Sequence, residues 1–107
     1  MNDFTVIEFH GEIDLVADLR VRAHVDAATD TDQPRIVVDL RTATFIDCST
    51  LRMLCHARKR ALDNRGGMGL VCTLPRHLGI LKAVRLTSVF GPVSTLEEAY
   101  ASALRGA

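Results

Sequence analysis

The chain has 107 residues, of which 48% are hydrophobic and 24% charged, and its 13 basic residues balance its 13 acidic ones. This length and composition fit one globular domain that spans residues 1–107. The zero net charge, the single Tyr and the lack of Trp disfavour nucleic-acid binding, because no basic excess is available to neutralise phosphates. No apolar run reaches the roughly 20 residues that cross a membrane, and residues 1–4 lack a signal-peptide pattern. We therefore expect a cytoplasmic protein with no membrane partner.

The cysteines and histidines do not form a recognisable site. Cys48, Cys55 and Cys72 contain no Cys-x-x-Cys pair, which disfavours a disulfide framework or a zinc site built from cysteines. The histidines are scattered singly, at His10, His24, His56 and His77. This pattern indicates structural or surface roles, so we expect no metal and no cofactor.

The amino-terminal part predicts a strand and a helix. Residues 4–10 alternate in polarity as a strand with one wetter face does. Asp14 then caps a predicted helix that runs to about Ala28. Its inner face is predicted from helical spacing to contain Val16, Leu19, Ala23 and Ala27.

The central stretch predicts a buried strand, a loop and a second helix. Residues 36–38 are β-branched, as in a strand of a parallel sheet that is buried on both faces. Asp47 or Ser49 can cap the helix that follows, which ends near Gly66 as a candidate left-handed residue. Its predicted apolar face contains Leu51, Leu54, Cys55, Ala61 and Leu62.

The carboxyl-terminal part alternates again. Residues 68–73 predict a strand, and Pro75 suits the first turn of a third helix. Residues 88–90 predict a brief edge strand. Thr95 and Glu98 have the spacing of a capping box, which opens the last helix. The third helix is predicted to bury Leu78, Leu81 and Val84, and the last one Leu96, Ala99, Tyr100, Ala103 and Leu104.

This order of elements predicts an α/β domain with a four- to five-stranded, mostly parallel sheet and four helices. The polar cluster at residues 47–50 then lies at the carboxyl end of a strand and over the amino terminus of a helix. Open α/β folds commonly place binding and phosphorylation sites there, since free amides and the helix dipole favour an anion.

Three segments carry a resemblance to a known family. They read Gly-Glu-Ile-Asp at residues 11–14, Phe-Ile-Asp-Cys-Ser-x-Leu at residues 45–51, and Leu-Thr-Ser-Val-Phe-Gly-Pro-Val followed by Leu-Glu-Glu-Ala within residues 86–99. In this order they resemble a STAS domain, most closely the bacterial anti-sigma factor antagonists. The resemblance implies a single STAS-like domain that acts by binding and is not an enzyme. Its implied partner is an anti-sigma factor with an ATP-binding kinase fold, and ATP and Mg²⁺ would belong to that partner.

In that family the loop usually reads Asp-Ser-Ser-Gly or Asp-Ser-Thr-Gly, and the partner phosphorylates the first Ser. The unphosphorylated antagonist captures the partner and frees the sigma factor, and the phosphorylated form releases the partner. Carried over by position, Asp47 matches the family Asp, Cys48 takes the phosphoacceptor position, and Thr50 stands where Gly is usual. Either the usual switch is absent, or Ser49 or Thr50 accepts the phosphate. Successive helical residues are turned by about 100°, so Ser49 presents its hydroxyl in another direction.

The resemblance implies a partner-binding set at the start of the central helix: Asp14, Asp47, Cys48, Ser49, Thr50 and Arg52. A basic row could add a docking surface or be a solvated helix face: Arg41, Arg52, His56, Lys59 and Arg60.

Cys48 is either a small filler of a tight turn or a redox-reactive thiol. A catalytic role is disfavoured, since no His lies in the same loop. The rival functions are a non-switching STAS scaffold, in a stress-signalling or lipid-transport assembly, and a thiol sensor; a homodimer through an exposed sheet edge is a further prediction.

Overall fold

The computed structural model describes residues 4–11 and 15–106, which form an α/β domain around one parallel sheet. The elements are β1 (Phe4–Glu8), α1 (Leu15–Thr29), β2 (Arg35–Asp39), α2 (Cys48–Asp63), β3 (Gly67–Val71), α3 (Pro75–Ala83), α4 (Thr87–Phe90) and α5 (Leu96–Arg105). The strand order is β1-β2-β3, and the register places Val37 opposite Val6 on one side and Gly69 on the other. The predicted fold class is confirmed.

The central strand β2 is buried on both faces, as its β-branched sequence predicts. Ile36 and Val38 enter the larger core with α1, α2 and α3, whereas Val37 enters a smaller core with α5. All three side chains are at most 2% exposed. Successive side chains of a strand point to opposite faces, so helices cover both faces of the sheet.

The predicted number of strands was too high, because three strands and five helices are found in residues 4–11 and 15–106. The predicted edge strand at residues 88–90 is part of α4 instead. There the Phe90 N–H donates to the Leu86 oxygen at 3.0 Å, and Gly91, at φ 52°, ends the turn in the left-handed region. Periodicity does not distinguish a strand from a helix over so short an apolar run.

A single residue takes the position of the missing edge strand. Val93 forms an isolated parallel bridge with Val71. Its N–H donates to the Leu70 oxygen at 2.9 Å, and its own oxygen accepts from the Cys72 N–H at 3.0 Å. The outer edge of β3 is therefore partly paired, whereas β1 forms the other edge of the described sheet. The homodimer through an open edge stays a prediction.

The inner side of α1 differs from the predicted one. Leu19 is 61% exposed, and Ala23 and Ala27 are exposed too, whereas Val25 is buried and Val21 is half-buried against the core. The side chain of Val16 falls outside the described part of the chain. A second set of apolar residues, Val21, Val25 and Ala28, also has helical spacing, and this set packs against the core.

Contacts with α2 hold α1 in this orientation. His56 Nε2 lies 2.6 Å from Asp26 Oδ1, and Arg60 Nε donates to Thr29 Oγ1 at 2.8 Å. The hydrogen bond with His56 is the main reason that the pKa of Asp26 is lowered from its ordinary value. The predicted basic row is thus divided, because His56 and Arg60 are half-buried against α1, while Lys59 pairs with Asp63 on the surface.

Two details of α2 also differ from the sequence prediction. Cys55 is exposed, whereas Met53 and Ala57 are buried on the inner face. The left-handed residue after the helix is Arg65, at φ 65°, and not Gly66. Gly66 follows it because a Cβ at that position would collide with the Pro34 backbone.

Helix α5 rests directly on β3. A Cβ on Gly67 would collide with the Ala103 oxygen, and one on Gly69 with the Ala99 oxygen. Thr95 Oγ1 caps the helix by accepting from the Glu98 N–H at 3.2 Å, as predicted. Of the predicted inner residues of α3 and α5, Val84 and Leu104 are instead 47% and 46% exposed.

Candidate functional site

The loop from β2 to α2 runs along the carboxyl edge of the sheet and is tied to the loop after β1. Gly11 and Ala43 form a parallel bridge. The Gly11 N–H donates to the Thr42 oxygen, and the Thr44 N–H to the Gly11 oxygen, both at 3.1 Å. Gly11 opens the Gly-Glu-Ile-Asp turn, so this turn begins beside the loop that leads to α2. Asp14 itself lies outside the described residues.

An ion pair fixes the beginning of the same loop. Asp39, at the end of β2, is 5% exposed, and its carboxylate accepts from Arg41 Nη2 at 2.8 Å and from Arg41 Nε and the Arg41 backbone N–H. The side-chain hydrogen bond from Arg41 lowers the pKa of Asp39, against the opposing effect of burial. Arg41 is therefore committed to the loop, which removes another member of the predicted basic row.

The start of α2 is closed by a capping box. Asp47 Oδ1 accepts from the Thr50 N–H at 3.1 Å, and the Asp47 N–H donates to Thr50 Oγ1 at 3.4 Å. Asp47 is thus the N-cap, one of the two predicted alternatives. The box satisfies backbone donors that the first turn of a helix leaves free. It orients the two residues between its members, Cys48 and Ser49, toward solvent.

The structure brings together most of the predicted partner-binding residues. Asp47, Cys48, Ser49 and Arg52 are exposed around the first turn of α2. Thr50 is 1% exposed and its hydroxyl belongs to the capping box. A kinase cannot reach that hydroxyl without opening the first turn, so burial argues against Thr50 as a phosphoacceptor or contact residue. Ser49 is the accessible hydroxyl of the pair.

Two exposed apolar residues at this edge of the sheet were not predicted from the sequence. Phe45 is 47% exposed although the next residue, Ile46, is buried, and Leu74, just before α3, is 38% exposed. Large exposed apolar side chains next to a polar rim are typical of protein interfaces. Phe45 lies within the family-like motif. Its exposure could have been predicted from an alternation with Ile46 like that of a strand, in which one of two neighbouring residues is buried and the other is exposed.

The cysteines occupy different environments. Cys48 and Cys55 are exposed free thiols, whereas Cys72 is buried, and burial raises the pKa of the Cys72 thiol. Across the described ranges, His, Cys, Asp and Glu side chains do not gather in threes as a metal site requires. None of the helices that the structure describes is long and apolar enough to cross a membrane.

A family model supplies the observation that decides the classification. The model described as the STAS domain matches residues 1–99 of the chain. The chain belongs to the STAS domain family. This match covers both crossovers at the carboxyl edge of the sheet, including the Asp47–Thr50 capping box, and extends into α5. No curated protein matches this STAS domain significantly.

Solved structures agree with this STAS fold. The anti-sigma factor antagonist SpoIIAA in its unphosphorylated form is 21% identical, with a TM-score of 0.67 over 89% of this chain and 83% of that chain. The phosphorylated form of SpoIIAA, a Bacillus cell fate determinant, is 19% identical, with a TM-score of 0.69 over 89% and 85%. A sulfate transporter family protein from Wolinella succinogenes is 19% identical, with a TM-score of 0.71 over 94% and 84%. At these identities the likeness shows the fold alone.

Proposed function

We propose that this STAS domain is an anti-sigma factor antagonist, which captures an anti-sigma factor with an ATP-binding kinase fold and so frees a sigma factor. The observation that carries the proposal is the exposed pair Cys48 and Ser49 on the first turn of α2, held outward by the capping box. The likeness to SpoIIAA, whose structures include a phosphorylated form, supports it. This function is a binding function, and we infer from it that the chain acts in the cytoplasm.

The surface offered to this partner has a polar centre and an apolar border. Asp47, Cys48 and Ser49 form the centre, Arg52 lies one turn along α2, and Phe45 adds an exposed aromatic ring. Aromatic and arginine side chains dominate the energetics of many interfaces. The capping box and the Gly11–Ala43 bridge hold the backbone of this surface, so binding requires little ordering.

The composition of the first turn favours an antagonist with an altered switch. A kinase that transfers phosphate to a hydroxyl meets a thiol at Cys48, while the Ser49 hydroxyl is exposed one position later. A phosphate at Ser49 would add roughly −1.5 to −2 charge, which the amino terminus of α2 tolerates within the domain. The fold would therefore survive, and the loss would fall on the partner interface.

Restoring a hydroxyl at position 48 tests this switch. The chain and its Cys48→Ser variant are incubated with ATP and a kinase-type anti-sigma factor encoded in the same genome, and phosphate is read by intact mass. We expect Cys48→Ser to gain one phosphate and to release the partner, while the unmodified chain stays bound. If the unmodified chain gains phosphate and Ser49→Ala abolishes the gain, the switch has moved to Ser49. Failure of both chains to bind the partner would overturn the proposal.

A charge placed at Ser49 tests the interface without a kinase reaction. Ser49→Asp should weaken capture of the anti-sigma factor by about tenfold or more, equal to about 1.4 kcal/mol, because a carboxylate enters the contact surface. Far-UV circular dichroism should not change. Ser88→Asp, also exposed and in the first turn of a helix, is the matched control and should leave affinity unchanged. Equal affinity of both variants for the anti-sigma factor would show that the start of α2 is not part of the interface.

A second function is supported by one comparison. The likeness to a sulfate transporter family protein fits a STAS module that works within another assembly, and Cys48 suits a scaffold that needs no phosphorylation switch. In that case native pull-down would recover components of that assembly and no kinase-type anti-sigma factor. The same pull-down therefore separates the two functions.

A further inference from the structure

A cavity of about 400 Å³ opens over the start of α3. It is lined by Thr44, Leu74, Pro75, Arg76 and His77. His77 is 1% exposed, and neither of its ring nitrogens makes a hydrogen bond of ordinary geometry to a described residue. Buried polar groups in native proteins are nearly always paired. Even if the Thr44 backbone takes one ring nitrogen in a hydrogen bond of poor geometry, the other nitrogen is unpaired. A buried imidazole of this kind on the wall of a cavity points to a ligand that completes its hydrogen bonds.

The helix that carries His77 also lacks a cap. Its N-cap is Leu74, which has no side-chain acceptor, and the first turn contains no acidic residue. The amides of Arg76 and His77, at the second and third helical positions, therefore receive no acceptor from the cap. The Arg76 side chain is exposed at the mouth of the cavity. Free amides, the helix dipole and a guanidinium together favour an anion at this point.

The chemistry of His77 narrows the class of anion. Burial lowers the pKa of His77, and the charge of Arg76 lowers it further, while a hydrogen bond with the Thr44 backbone opposes the shift. A neutral imidazole has one donor and one acceptor. A phosphate monoester has a second pKa of about 6, so around that pH it exists both with and without a hydroxyl that can donate. An unpaired nitrogen of the neutral ring can donate to a phosphate oxygen or accept from a phosphate hydroxyl, so either tautomer of His77 provides a hydrogen bond to the ligand.

We propose that the cavity over the start of α3 binds a phosphate group, carried by inorganic phosphate or by a small phosphate monoester, with His77 and Arg76 as its protein ligands. Thr44 also lines the cavity, and Leu74 and Pro75 provide apolar surface against which the organic part of a monoester would pack. A cavity of this volume lies in the range of small-molecule sites. The site does not depend on the partner proposed above.

Ring nitrogen signals of the ¹⁵N-labelled chain provide the test. Inorganic phosphate is titrated at constant ionic strength and pH, and we expect the His77 nitrogens to shift saturably while those of His24 do not. His77→Gln assigns the signal. Phenyl phosphate is the second probe: tighter binding than inorganic phosphate assigns a monoester, and equal binding assigns the free ion. Absence of a saturable His77 shift with both probes would overturn the proposal.

Charge variants separate this site from general attraction of anions. Arg76→Gln should weaken phosphate binding by about tenfold, since it removes a charge-assisted hydrogen bond. Lys82→Gln removes the same charge from the last turn of α3, where Lys82 is exposed, and should change affinity less than twofold. Equal weakening by the two variants would show that phosphate is attracted by net charge and not bound in the cavity. Binding of the anti-sigma factor is measured separately, so each proposal can fail alone.

Discussion

Two helices begin at the same edge of the sheet, and they satisfy their first turns in different ways. Helix α2 is closed by its own side chains, because Asp47 accepts from the Thr50 N–H. Helix α3 begins after Leu74 without a side-chain acceptor, and it carries a buried imidazole with an unpaired ring nitrogen in its first turn. A closed start can present its exposed residues to a protein partner. An open start leaves hydrogen-bonding capacity for a ligand.

The loops that precede the two helices differ in the same sense. Residues 40–47, before α2, are held by the Asp39–Arg41 ion pair and by the Gly11–Ala43 bridge to the loop after β1. Residues 72–74, before α3, are shorter and are held through the Cys72 N–H, which donates to the Val93 oxygen. The first loop therefore has more fixed contacts than the second, although the cavity touches both, through Thr44 and through Leu74. Stability should therefore respond to substitutions in the first loop more than in the second.

The largest effect is expected at Asp39. Asp39→Asn should lower the free energy of unfolding by about 1.5 to 3 kcal/mol, as expected when a charged hydrogen bond is weakened at a buried site. Because the folded chain holds this carboxyl ionised below its ordinary pKa of 3.8, the contribution is present above that pH. It is lost as pH falls toward the lower pKa of the folded state. Urea unfolding at neutral pH and at pH values around 3.8 measures both effects.

The acid response of this variant provides its control. Asp26 also has a lowered pKa, caused mainly by its hydrogen bond with His56. The Asp39→Asn chain should therefore still lose stability in acid, but less than the unmodified chain does. An unchanged acid response in this variant would mean that the Asp39–Arg41 pair does not hold the first loop.

A smaller effect is expected from opening the closed helix start. Asp47→Ala should destabilise the fold by about 1 kcal/mol, since the N-cap acceptor is lost. Ser49→Ala, within the same turn but outside the capping box, should change stability by less than about 0.5 kcal/mol, as exposed substitutions usually do. Chemical denaturation of both variants makes the measurement. Equal losses would mean that the Asp47 cap contributes no more than a solvated side chain.

The smallest effect is expected from closing the open helix start. Leu74 has φ −72° and ψ 125°, an extended backbone that suits a capping residue. Leu74→Asp should therefore stabilise the chain by about 0.5 to 1 kcal/mol at neutral pH through the free amides of α3. It should also weaken phosphate binding, because its carboxylate would occupy the anion position. Thermal unfolding with and without phosphate measures both, and Leu74→Ala is the control. If Leu74→Asp stabilises the chain but leaves phosphate affinity unchanged, the free amides of α3 do not take part in phosphate binding.

Local signals in the sequence predicted the features that local physics controls. The β-branched run at residues 36–38, the small polar residue Asp47 before α2, Pro75 at the start of α3 and the Thr95 cap all act within a few residues of themselves. These features gave the parallel α/β class and the position of the candidate interface. The residues of that interface follow from the family motif and from this position.

Features that depend on packing between distant segments were not predictable in this way. The line of Leu19 and Ala23 has good helical spacing, yet Asp26 contacts α2 and turns the other side of α1 inward. Thr50 looks like an available hydroxyl in sequence but is buried by its own helix start. His77 looks like one of several isolated histidines, and its burial becomes visible only when the cavity wall assembles.

The contact between α5 and β3 has a mechanical consequence. Backbone oxygens of Ala99 and Ala103 rest where side chains at Gly69 and Gly67 would otherwise stand. Packed interfaces usually absorb small displacements by changes of side-chain rotamer. Gly67 and Gly69 have no side chains, so β3 cannot respond in this way where it contacts α5. A tilt of α5 would therefore displace the backbone of β3 directly. The displacement would then reach the cavity, which lies beyond the end of that strand.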